Sequence, residues 1–349
     1  MTDYIGQTFP EQWVWSRFEN KFIDSIRSQI DRKFAGQENL LVNLTWFGPQ
    51  FDYPNNSYDK FLKHTSKVDN LFILCTVDPS MLQKEQIENM LEHTGNPKLY
   101  KLGNFDGEHQ FNFFAPVLAK HFRKYENSDI VLKDPKWHFI CYNRKPRRHR
   151  VELVKKIIAR GLDKNGLITL GKPDRKYDND PDNRLYLTLG EQDKDYMEHG
   201  HWFTQDDKDD DVGIPHDVLS LHNIDYWQRH FLHIIGATEF SPSVDLFVSE
   251  TQFKPILGLR PFLINGNPKT YEWLVQQGFK TFNKYFPGID FMAAGRVHES
   301  ILSALDQIKD MAPDQLQQMY EGMMPDLLHN QQHFFTFADQ QQHKIHNLF

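Results

Sequence analysis

The chain has 349 residues, enough for two medium domains or one large α/β domain. Hydrophobic residues make up 39% and charged residues 25%, an ordinary globular composition in which 28 Phe do much of the apolar work. Lys and Arg total 40 against 47 Asp and Glu, a formal charge of −7, which excludes a globally basic nucleic-acid binder but not a local basic site.

No run approaches the length of a membrane span. The first twelve residues, MTDYIGQTFPEQ, lack the charged and then apolar pattern of a signal peptide, so a cytoplasmic chain is expected. Cys75 and Cys141 lie in apolar, strand-like runs, LFILCTV and WHFICYN, and read as buried thiols in a reducing compartment. With no CxxC, a thiolate zinc cluster is excluded.

In chain order, runs rich in β-branched and aromatic residues alternate with helix-period runs, which predicts α/β with a largely parallel sheet. The first half offers strands over 40–49, 70–80 and 98–107, with helices around 59–64, 84–93 and 115–125. The run over 70–80 is continuously apolar, as a strand buried on both faces should be. A polar break falls near 127–136. A second series then follows: a strand over 137–143, a helix over 147–160 closed by Gly161, and a strand over 166–171. Residues 172–213 are polar and too long for a routine connection, hence an insertion or a mobile loop. A helix over 217–230, a strand over 231–237, a short strand over 246–248, a strand over 260–266 and a helix over 269–278 complete the series. The remainder is mostly helical and rich in Gln and His; His333, His343 and His346 read as surface residues.

The sharpest local signal is CYNRKPRRHR, residues 141–150, which puts Arg144, Lys145, Arg147, Arg148 and Arg150 where a strand ends and a helix begins. Cations at a helix N-terminus oppose the helix dipole. A bound anion resolves that conflict, because helix N-termini at the carboxyl ends of parallel strands hold phosphates and Arg adds bidentate bonds to them. The competing reading is a solvated basic turn. GxGxxG and GxxxxGK[ST] are both absent, so ordinary dinucleotide and P-loop sites lack their fingerprints.

The second signal is VDLFVSETQFKPILGLRPFLING, residues 244–266. Ser249 with Gln252 three residues on forms a possible capping box, so a helix is expected to start here with Glu250 in its first turn. Lys254, four residues further, shares a face with Glu250, and a simple helix pair would account for both. Alternatively, Glu250 lies in a crevice at strand ends, where a carboxylate accepts ribose hydroxyls.

This stretch, a hydroxyl residue and Glu opening a helix, then a small-residue turn and a PFLING strand, resembles the donor half of GT-B glycosyltransferases. The α1,3-fucosyltransferases and exostosin-like enzymes share that layout, and residues 231–282 look like glycosyltransferase-like proteins of phages and other environmental viruses. The resemblance spans roughly residues 137–290 and matches the first half by architecture alone. It implies two Rossmann-like domains: an acceptor domain over 1–134, a nucleotide-sugar donor domain over 135–325, and a helical tail over 326–349. It also implies an Arg after the first strand of the second domain on the donor pyrophosphate. Fucosyltransferases place Lys directly after the Glu, where this chain has Thr251. Lys254 or the basic turn would then replace that phosphate contact.

Transfer needs a base for the acceptor hydroxyl and positive charge for the departing diphosphate. The donor-binding set is Arg144, Arg147, Arg148, Arg150, Ser249, Glu250 and Lys254, with a nucleotide-diphosphate sugar as co-substrate and neither metal nor cofactor. Base candidates follow the first-half strands: Asp52, Asp78, Asp106, Glu108 and His109, with Asp106 or Glu108 favoured because NFDGEH is a polar, Gly-containing loop. The acceptor is a glycan or a hydroxymethylated pyrimidine in phage DNA, for which Lys60, Lys63, His64 and Lys67 are the candidate contacts. Two rivals remain: a metal-dependent hydrolase using His199 and His201 beside an acidic run, and a non-enzymatic nucleotide- or polyanion-binding protein.

Overall fold

The computed structural model describes residues 2–5, 14–44, 68–75, 88, 91–92, 94–103, 108–126, 130–143, 147–170, 221, 224–238, 240, 246–293 and 295–349. The expected helix around 59–64 and the long polar segment 172–213 lie outside them.

The first half runs β1 (Asp3–Ile5), α1 (Val14–Lys33), β2 (Asn39–Leu44), β3 (Asn70–Cys75), β4 (Lys98–Gly103) and α2 (Phe114–Phe122). Its strands form a four-stranded sheet in the order β1-β2-β3-β4, and every pairing is parallel. β3 is buried at every position, as its unbroken apolar run predicts for an inner strand covered on both faces. Helix α1 went unread in the sequence although Phe22, Ile23, Ile26 and Ile30 make a buried stripe at helical spacing.

The second half runs β5 (Trp137–Asn143), α3 (Arg148–Ala159), β6 (Gly166–Leu170), α4 (Ile224–Arg229), β7 (His230–Gly236), α5 (Glu250–Leu257), β8 (Phe262–Asn265), α6 (Lys269–Gln276), α7 (Val297–Ile308) and α8 (Pro313–His346). Its sheet has the order β6-β5-β7-β8, again all parallel. The chain is therefore α/β with two parallel sheets, as expected. Residues 246–248, expected as a strand, pair with no strand among the described residues. Their apolar character serves packing instead: Phe247 sets its ring 5.8 Å from that of Phe114, and the Val248 carbonyl accepts a 2.8 Å bond from Asn112 Nδ2.

α8 is 34 residues long and crosses the boundary expected at 325/326. One side of it, including Leu316, Tyr320, Leu327, Phe334, Phe337 and Ile345, is buried. It packs on α2 and α5 and reaches back to α1, where Gln29 Nε2 donates to the Ile345 carbonyl at 2.9 Å and Gln29 Oε1 accepts from Leu348 N at 2.8 Å. Phe349 then meets Phe34 and Phe72 edge-on, each at 5.5 Å. His333 is half-buried and bonds the Gln277 carbonyl through Nε2 at 2.6 Å, whereas His343 and His346 are exposed. No helix among the described residues is long and apolar enough to cross a membrane.

Candidate functional site

Strand order selects the site. From β5 the chain crosses through α3 to β6 on one side, and from β7 it crosses through α5 to β8 on the other. Right-handed crossovers in opposite directions place α3 and α5 on opposite faces. α3 accordingly packs with α7, and α5 with α2 and α8. Both helices begin beyond the carboxyl ends of the strands that feed them. The crevice between the β5 and β7 ends is thus a topological switch point flanked by two helix N-termini.

Gly236 ends β7 there. A Cβ on it would stand 2.5 Å from Asn143 Oδ1 and 3.3 Å from Arg150 Nε, so no larger residue fits without displacing them. Asn143 ends β5 and is 1% exposed. Its Nδ2 donates to the Thr169 carbonyl at 3.2 Å, and its Oδ1 is buried with no hydrogen-bond partner among the described residues.

A polar network ties the strand ends together. Arg150 is buried and donates through Nη2 to the carbonyls of Gly236 and Ala237, each at 2.8 Å. His149 Nε2 bonds the Ala237 carbonyl at 3.0 Å, so that nitrogen carries the proton. Asn265, at the end of β8, donates from Nδ2 to the His149 carbonyl at 3.3 Å, and its Oδ1 accepts from His298 Nε2 at 3.1 Å. The Phe240 ring stacks on His149 at 4.9 Å and lies 5.4 Å from His298. Burial, reinforced by the Arg150 charge, pushes the His149 pKa down to about 3, and burial also lowers that of His298. Both imidazoles are therefore neutral at pH 7 and act as hydrogen-bonding groups rather than cations.

The expected cations separate by position on α3. Arg147, before the helix, is half-buried and donates to the Thr238 carbonyl. Arg148 is exposed and pairs with Glu152 one turn along at 2.8 Å. Arg150, two residues on from Arg148, faces inward. Arg144 lies outside the described residues.

At the second N-terminus the capping box forms. Thr251 N donates to Ser249 Oγ at 3.4 Å, and Ser249 N donates to Gln252 Oε1 at 2.9 Å. Glu250 and Lys254 are half-buried on α5. Lys254 sits close enough to His233 on β7 that its charge, after burial itself, helps hold that imidazole's pKa down to about 3.

Glu108 is exposed in the turn after β4, and His109 is half-buried with its ring 5.0 Å from Phe349. Asp106, Asp52, Asp78, His199, His201, Lys60, Lys63, His64 and Lys67 lie outside the described residues. Among the described residues no group of three or more His, Cys, Asp or Glu could hold a metal ion. Sequence reasoning missed Asn143, His149, Phe240, Asn265 and His298. For Asn143 and Asn265 a signal was available: each is a polar residue closing an apolar strand.

No family model and no curated protein matches the chain. Among solved structures it is similar to the catalytic domain of starch synthase IV from Arabidopsis thaliana, bound to ADP and acarbose. The TM-score is 0.36 and the identity 10%, covering 94% of this chain and 71% of that one. At so slight a likeness nothing about this chain's chemistry follows from that protein.

Proposed function

We propose that the chain is a glycosyltransferase that moves a sugar from a nucleoside-diphosphate sugar to a hydroxyl acceptor. The observation that carries this reading is the switch point, where two helix N-termini flank one crevice, one preceded by Arg147 and followed by Arg150, the other bearing Glu250. Helix N–H groups and Arg suit a diphosphate, and a carboxylate suits ribose hydroxyls. The diphosphate would lie over the start of α3, toward Arg144 and Arg147, while Arg150 holds the strand ends that shape the crevice. The ribose would lie toward Ser249 and Glu250, with Lys254 one turn behind.

In the transfer step the acceptor oxygen bonds to the anomeric carbon as the bond from that carbon to the diphosphate oxygen breaks. The acceptor proton passes to a carboxylate of the first half, Glu108 or Asp106, and the nucleoside diphosphate leaves with the bonding electrons. Helix N–H groups and the Arg side chains stabilise the charge that develops on it. The donor side is then 135–325 and the acceptor side 1–134. A glycan or a hydroxymethylated pyrimidine of DNA supplies the hydroxyl. No cofactor enters this scheme beyond the nucleotide sugar.

A thermal-shift screen with a nucleotide-sugar hydrolysis assay tests this. A matching nucleoside diphosphate at a hundredfold excess over its Kd should stabilise the protein by about 2.7 kcal/mol, and the same nucleoside diphosphate should be released from one of UDP-, GDP- or TDP-sugars. Stabilisation by divalent metal alone, with no nucleotide effect, would contradict it.

A further inference from the structure

A second recess, of about 390 Å³ with its open solvent included, is lined by residues from both halves of the chain. Phe111 and Val248 form part of its apolar lining, and Trp273, Gln277, Gln341 and Lys344 also line it. Val248 immediately precedes Ser249, so the recess adjoins the N-terminus of α5. The Trp273 ring is fixed edge-on against Phe337 at 5.7 Å and is half-buried.

Gln110 and Asn112 line it too, and the polar groups that lack a partner among the described residues are mainly donors. Gln341 is 3% exposed and commits Oε1 to Asn112 N at 2.9 Å, while its Nε2 has no acceptor among the described residues. The Trp273 indole N–H and the Gln277 side-chain amide likewise have none, and Lys344 has no carboxylate partner there. No carboxylate of the described residues lines the recess. The recess therefore offers an aromatic ring, amide and indole donors and one ammonium, which together match a ligand rich in acceptor oxygens with an apolar ring face and a negative charge.

We infer that this recess binds an anionic sugar unit, one carrying a carboxylate or a phosphate. Its role as the acceptor site rests on the glycosyltransferase reading; the binding itself does not. An acidic saccharide is then the acceptor class, in preference to a base in duplex DNA, which would present a run of phosphates to several cations.

Calorimetry with glucuronate, glucose 6-phosphate, glucose and inorganic phosphate tests this, with a saturating nucleoside diphosphate present so that the switch-point crevice is filled. At least one of the two acidic sugars should bind about tenfold or more tightly than glucose and than inorganic phosphate, which tells a carboxylate from a phosphate preference. Lys344→Ala should abolish that preference, and Gln277→Ala should weaken every sugar severalfold. Lys344 is exposed on α8 and Gln277 is half-buried just after α6, and melting temperatures near that of the unmodified protein verify folding. Equal binding of glucose and the acidic sugars, inorganic phosphate binding as well as the sugar phosphate, indifference to both variants, or no binding up to about 20 mM would each overturn the proposal. The nucleoside-diphosphate titration in the same samples reports separately on the transferase reading, so failure of one is distinct from failure of the other.

Discussion

Replacing Arg260 by Met should cost about 3–5 kcal/mol of folding stability, the penalty of taking a charged donor from several buried acceptors. The guanidinium is fully buried, just ahead of β8. Its Nη1 donates to the Leu259 carbonyl at 2.6 Å and to Tyr320 Oη at 3.0 Å, and its Nη2 donates to the Ile130 carbonyl at 3.0 Å and to the Trp227 carbonyl. It also lies 5.2 Å over the Tyr320 ring. Burial lowers its pKa to about 10, so it stays charged at neutral pH. One planar fork thereby joins the segment before β5, the end of α4, the entry to β8 and the long helix α8. Met matches the volume but takes the Arg260 donor from the Ile130 and Trp227 carbonyls, at about 1–3 kcal/mol each before relaxation, while the Leu259 carbonyl keeps Tyr320 Oη at 3.0 Å. Arg260→Lys should recover only part of the loss, because a point charge cannot span the same acceptors. Denaturant unfolding with an unchanged slope measures the effect. A Met variant within about 1 kcal/mol of the parent would mean that those carbonyls find other partners.

Acid should destabilise the fold well before the ordinary carboxylates titrate. Burial holds His149 and His233 at about 3, and lowers the pKa of His230 as well. Unfolded imidazoles titrate near 6.5. Between those values the unfolded chain takes up protons that the folded chain refuses, so stability is full above about pH 6.5 and falls as pH drops toward about 3. Each such histidine contributes about 1.4 kcal/mol per pH unit, so the pair should cost on the order of 5 kcal/mol by pH 4.5. His233 offers the cleaner dissection. Its ring stacks on Trp227 at 5.1 Å, and its Nδ1 lies 3.3 Å from His230 Nε2. His233→Phe keeps the ring and removes the titration, and should flatten the dependence by about half of that amount. Equal stability at pH 7 and pH 4.5, or an unaltered slope in the variant, would contradict this account.

What the sequence made legible was local. β5 falls on residues 137–143 as expected, because its apolar run ends abruptly at Asn143 and a basic turn follows. The Ser249–Gln252 capping box was readable from spacing alone and its bonds are present. Residues 246–248 misled because apolar character marks burial, and burial against Phe114 looks the same in sequence as burial in a sheet. The polar network of the crevice was hidden for a different reason. His149, Asn265 and His298 come from three elements, and only the strand order β6-β5-β7-β8 brings their ends together. Arg148 and Arg150 were equivalent as charges in a turn. On a helix a two-residue offset turns them to different sides, and which side packs is a tertiary fact.

The central claim is that the crevice between α3 and α5 holds a nucleoside diphosphate with its ribose on Glu250. Its most direct test is a cycle of Glu250→Gln against a 2′-deoxynucleoside diphosphate, read by calorimetry on protein whose melting temperature is unchanged. Each change alone should weaken binding by about 1–3 kcal/mol, as loss of a charge-assisted hydrogen bond does. Together they should cost little more than either alone, because both remove the same interaction. Strictly additive losses, or a Glu250→Gln variant that binds the nucleoside diphosphate as the parent does, would take Glu250 out of the site and contradict the account.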